Sequence, residues 1–80
     1  MNPSSLNSLR VGQSARVSHI EAEPAMRRRL LAIGLLPGTR VTCTAVSPAG
    51  DPAAYLIRGA VIALRGRDAG GVYLGDALWD

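Results

Sequence analysis

The chain has no phenylalanine and no lysine, one cysteine and one histidine, and only 4% of its 80 residues are aromatic. A lone cysteine, Cys43, excludes an internal disulfide and any zinc site built from several thiolates. It falls in the middle of an expected strand, where a buried structural thiol is the natural reading. Without phenylalanine the core has to be aliphatic, and few rings remain on which nucleic-acid bases could stack. The apolar run Leu30 to Leu36 is far shorter than the roughly 18 residues that span a bilayer. The segment MNPSSLNSLR has no apolar stretch of the kind a secretion signal needs. A soluble cytoplasmic protein with no direct membrane insertion is the expectation. Catalytic constellations are missing too. The one histidine has no evident nucleophile partner, and GRDAGG at 66–71 lacks the Lys-Ser/Thr of a phosphate-binding loop. The sequence reads as a non-enzyme that requires no cofactor.

What remains is enough for a folded domain. Hydrophobic residues make up 48% of the chain and the mean hydropathy is +0.15. That supports one small domain over residues 1–80, with an ordered core at about 9–75. The net charge is +3, and all nine basic residues are arginine, spread from Arg10 to Arg67. This is modest for a nucleic-acid binder, and only Arg27-Arg28-Arg29 cluster.

The organising stretch is Pro24 to Val41. Pro24 suits a first helical position, where its missing N–H costs nothing. Met26, Leu30 and Ile33 recur at helical spacing and form an apolar face that excludes Arg27 and Arg28. Gly34 supplies the left-handed residue of a Schellman stop, with Leu35 folding back onto Leu30. Leu36-Pro37-Gly38-Thr39 then has the composition of a type II turn. The chain leaves it as a strand, Thr39 to Val46, in which Val41, Cys43 and Ala45 alternate inward.

Upstream, Gly12 turns the chain into a strand at Ala15–Ile20, with an irregularity expected near Ser18 because Ile20 breaks the parity. Downstream, SPAGDP at 47–52 is a turn cluster. Ala54–Arg58 and Val61–Leu64 form a hairpin whose Gly59-Ala60 link suggests a type II′ turn. One helical turn surrounds Ala69, Val72–Leu74 is a last short strand, and 75–80 is a tail. The expected fold is mainly β: a small barrel of about five strands with one short helix covering one end.

Arg29-Leu30, Gly34-Leu35, Pro37-Gly38-Thr39, Gly50-Asp51-Pro52, Gly59, Ile62-Ala63-Leu64-Arg65 and Ala69, in that order, resemble the FeoA family. The resemblance covers roughly Leu9 to Leu74. It implies an SH3-like barrel that assists bacterial ferrous iron transport by binding the FeoB transporter or its GTPase domain. The same domain type ends iron-dependent repressors, so a metal-responsive regulatory domain is one alternative. A small basic barrel binding nucleic acid is the other, although no nucleic acid is expected.

On this reading Arg29, Leu30, Gly34, Pro37, Gly38, Asp51, Gly59 and Leu64 are structural, with Arg29 folding back onto carbonyls or onto a carboxylate such as Asp51. Arg27, Arg28, Leu36 and Arg40 are the partner-binding candidates, Leu36 being open between core and surface. His19 and Glu21, two apart on an extended segment, share a face. They would give at most an adventitious divalent site, and self-association at most a weak homo-oligomer.

Overall fold

A computed structural model describes residues 4–78. A single 3-10 turn at Leu6–Ser8 precedes β1 (Ser14–Ile20), α1 (Pro24–Ala32), β2 (Arg40–Val46), β3 (Ala53–Ile57), β4 (Ala60–Leu64), α2 (Gly66–Ala69) and β5 (Val72–Leu78). The strands pair antiparallel in one sheet of order β4-β3-β2-β1-β5. This is the mainly β architecture of five strands that the patterning predicts. Register shifts interrupt β1 against β5 on both sides of Val17, and β2 against β3 between Cys43 and Ala45. Bulges bend strands, which lets so short a sheet fold around a core. The irregularity expected near Ser18 is one of these. The shift after Cys43 corrects another expectation: Ala45 is exposed rather than inward, because the extra residue reverses the parity of the rest of the strand.

Both sides of the organising stretch form as the sequence indicates. Pro24 opens α1, and the helix ends on two bonds, Gly34 N–H to Leu31 O at 3.0 Å and Leu35 N–H to Leu30 O at 3.1 Å. Those are the paired bonds of a Schellman stop, with Gly34 at φ +107°. Leu30 and Leu35 are both fully buried, each side chain contributing about 2–3 kcal/mol of apolar burial. Met26 and Ile33 are partly buried and pack beside the core, as do Ile62 and Leu64 of β4. The next turn closes with Thr39 N–H to Leu36 O at 3.0 Å and Gly38 at φ +89°, as a type II turn requires.

Three further expectations change. The hairpin loop is Arg58-Gly59, because Ile57 pairs with Ala60. Both loop residues have positive φ, +51° and +84°, so the turn belongs to type I′ and not to type II′. The last strand runs on to Leu78 and pairs with Ser14, so 75–78 is not a tail, while Trp79 lies outside the described residues. Packing begins ahead of the expected Leu9: Leu6 is fully buried, and Ser5 bridges to Tyr73 on the outer edge of β5.

The core is aliphatic apart from Tyr55, which is 2% exposed. Cys43 is fully buried, and burial pushes its thiol upward. Burial first, then the nearby Cys43 and Asp51, push the Tyr55 hydroxyl up to about 12. A group whose folded pKa is raised favours the fold below its unfolded value and loses that contribution as the pH rises through the folded value. Stability is therefore expected to fall between about pH 10 and 12. Urea midpoints across that window should show a shallower fall for Tyr55→Phe.

Candidate functional site

The turn after α1 places Leu36 on the surface, 43% exposed, while its neighbour Leu35 is fully buried. Consecutive leucines at a helix stop cannot both enter the core, and the Schellman geometry chooses Leu35. Leu36 itself is held rigidly. Its N–H donates to Gly34 O at 2.8 Å, and its carbonyl accepts from Thr39. The Gly38 N–H donates to Val17 O at 2.7 Å, and the Val17 N–H to Thr39 O at 2.9 Å, which ties the turn to β1.

Two arginines flank this turn. Arg40 opens β2 and lies directly across the sheet from Arg16 of β1. The Arg16 guanidinium donates from Nη1 to Gly38 O at 3.2 Å. Arg16 was missed in the sequence because it is far from Arg40 along the chain. Its outward parity, next to inward Ala15 and Val17, was the available signal. Beyond Arg40 lies a shallow depression of about 430 Å³ lined by Arg40, Thr42, Leu56, Arg58 and Gly59. The rim thus combines an exposed aliphatic residue on a fixed turn with three arginines on one side of the sheet.

Arg27 and Arg28 are exposed on α1, as is Arg29. Among the described residues, Arg29 makes neither of its expected contacts. The Asp51 carboxylate instead accepts from the Gly66 N–H at 2.7 Å and so caps α2 from a distant loop. That bond ties the loop before β3 to the segment after β4. Asp51→Ala should cost about 1–2 kcal/mol in a chemical-denaturation measurement, the usual worth of a cap or charge-assisted bond. Gly59 occupies the second loop position of the hairpin, and Leu64 lies partly buried opposite Ala53.

His19 and Glu21 do face one another. His19 Nε2 and Glu21 Oε2 are 2.8 Å apart, Ser18 Oγ lies 3.1 Å from Nδ1, and the imidazole stacks on Tyr73 with ring centroids 5.0 Å apart. Both ring nitrogens therefore have partners within the chain. Among the described residues, no three His, Cys, Asp or Glu side chains come together in a way that could hold a metal ion. No helix among them is long and apolar enough to cross a membrane.

Comparison with known proteins agrees with this fold. The FeoA domain family model matches residues 4–74. The FeoA protein of Chlorobium tepidum is 34% identical, with a TM-score of 0.83 over 89% of this chain and 68% of its own. The FeoA of Stenotrophomonas maltophilia, solved with zinc and described as a prokaryotic SH3-domain protein, is 29% identical with a TM-score of 0.80. That match covers 90% of this chain and 89% of the other. A manganese-dependent transcriptional repressor shares the fold, with a TM-score of 0.85 at 23% identity over 98% of this chain and 42% of the repressor.

Proposed function

The chain belongs to the FeoA family, linked to ferrous iron transport, and we propose that it works there as a small cytoplasmic adaptor that binds the FeoB transporter. The observation that carries this reading is Leu36, fixed on a tight turn, 43% exposed and set beside the Arg16–Arg40 pair. An exposed aliphatic anchor bordered on one side by arginines has the make-up of an interaction hot spot. It suits an apolar pocket with acidic residues at its border. Arg27 and Arg28 extend the basic surface along the helix. The partner surface would be the transporter's cytoplasmic GTPase part or its membrane-proximal face. Contact, and not chemistry on a bound substrate, is the mechanism. His19 and Glu21 have a minor place in it: a divalent ion reaching them would have to displace their mutual bond.

Calorimetric titration against the isolated GTPase domain and the full transporter in detergent, each with and without a GTP analogue, tests the proposal. Saturable binding to either is expected. Binding only to a short control RNA, weakening steeply with salt, would overturn it.

A further inference from the structure

The two edges of the sheet are treated differently. The outer edge of β5 is covered at its start: Ser5 bridges to Tyr73, and the Leu74 N–H donates to Ser4 O at 2.7 Å. The outer edge of β4 is bare among the described residues, since no neighbouring strand or loop backbone bonds to it. The hairpin loop has two residues, so Ile57 and Ala60 form a hydrogen-bonded pair, and the alternation continues through Tyr55–Ile62 and Ala53–Leu64. Val61 and Ala63 therefore direct their N–H and C=O groups away from β3. Edge strands are usually blunted with lysine, proline or a bulge. The strand AVIAL has none of these, and its pairing with β3 is regular.

The side chains add to this. Val61 is 63% exposed and pairs with Leu56, itself 39% exposed, while Ala63 pairs with Ala54 on the same outer face. No charge lies within β3 or β4, but exposed arginines stand at both ends of β4, Arg58 in the turn and Arg65 after the strand. Beside the strand is a cleft of about 130 Å³ between Ile62, Ala63 and Leu64 and the α1 segment, bordered by a third arginine, Arg29, and by Asp68 of α2.

We propose that the β4 edge takes up an extended segment of a partner protein as a sixth strand, one with alternating aliphatic side chains and carboxylates at both ends. Main-chain bonds to Val61 and Ala63 supply the attachment, and the flanking arginines select for acidic ends. A second copy of this chain fits less well. Antiparallel pairing of β4 with its own copy, Val61 opposite the other copy's Ala63, would bring Arg58 within one residue of the other copy's Arg65 at both ends and set like charges close together. This surface meets the depression beyond Arg40 at Leu56 and Arg58, but Val61 and Ala63, which supply the attachment, lie outside the Leu36 rim.

The probe is a blocked peptide, Glu-Val-Thr-Val-Thr-Val-Glu, with a Lys-ended version as control, titrated into the full chain and followed by amide hydrogen exchange. Saturating peptide should slow exchange of the Val61 and Ala63 N–H groups at least tenfold, and the Lys-ended peptide should bind at least fivefold more weakly at low salt. Ala63→Pro removes only an outward N–H, so it should leave the melting temperature within a few degrees and weaken binding at least tenfold. Val61→Glu, at an exposed position, should weaken it similarly without touching the backbone. Leu36→Asp should leave peptide binding unchanged, which separates this surface from the transporter rim. Unchanged exchange at Val61 and Ala63, or full affinity in both edge variants, would overturn the proposal. So would edge protection that grows with protein concentration alone, which would mark a second copy as the occupant.

Discussion

Gly34→Val should lower stability by about 3 kcal/mol, a drop in melting temperature of about 15 °C for a domain this small. Two separate costs add at this position. Gly34 has φ +107°, a conformation that a β-branched residue adopts only under strain. An added Cβ would also lie 2.5 Å from Arg58 Cδ, 3.1 Å from Arg58 Cγ and 3.4 Å from Ile57 Cγ2. The Arg58 stem can yield, but Ile57 is a fully buried core residue and cannot move freely. Gly38 provides the control. It too has positive φ, yet nothing lies within 4 Å of where its Cβ would sit. Gly38→Ala should therefore carry only the backbone cost, about 1 kcal/mol. In a double-mutant cycle, Arg58→Ala should recover part of the Gly34→Val loss, and denaturation midpoints of the four proteins measure the coupling. A Gly34→Val protein that melts with the wild type would rule out Gly34 as the helix stop.

The second large effect lies near the N-terminus. Leu6→Ala should cost about 3 kcal/mol, because Leu6 is fully buried and the small side chain leaves a cavity among rigid neighbours. The damage should also have a local signature. The turn Leu6–Ser8 anchors the segment whose Ser4 carbonyl and Ser5 bridge cover β5. Loosening that anchor exposes the edge, so the Leu74 amide should exchange faster than global unfolding alone explains. If Leu6→Ala costs under 1 kcal/mol, the N-terminal segment is an ornament on the core and not part of it.

These two residues mark what the sequence made legible. Around Gly34 each change of direction has its own chemical stop: a helix-ending glycine, then a Pro-Gly turn. Local rules alone place α1, the turn and β2. Leu6 has no such signature, since a single apolar residue in a polar segment gains its place from contacts made far along the chain. β5 extends to Leu78 for a similar reason. Gly75-Asp76-Ala77 has little strand preference, and pairing with Ser14 and Ala15 imposes it. At the hairpin, the local rule favoured the glycine as first loop residue. The register from Tyr55–Ile62 to Ile57–Ala60 instead puts Arg58 at positive φ, where arginine is rarely found.

The candidate site was legible in part. Leu36 and Arg40 follow from the turn, and the structure resolves the open choice at Leu36 in favour of the surface. Arg16 joins them only when β1 and β2 pair. Among the described residues Arg29 makes neither expected contact, and Asp51 reaches the start of α2 instead, a contact between two loops that sequence spacing does not encode. His19 and Glu21 lie as close as the alternation suggests, with their polar groups directed at each other.

On the proposed function, Leu36 and its arginine border bind the iron transporter. The most direct test is calorimetric titration of the FeoB cytoplasmic domain into the wild-type chain and into Leu36→Asp, with the melting temperature of each measured alongside. Leu36 is exposed, so Leu36→Asp should melt within a few degrees of wild type and bind at least tenfold more weakly, a loss of about 1.4 kcal/mol or more. Equal affinity in the two proteins, with both folded, would contradict it.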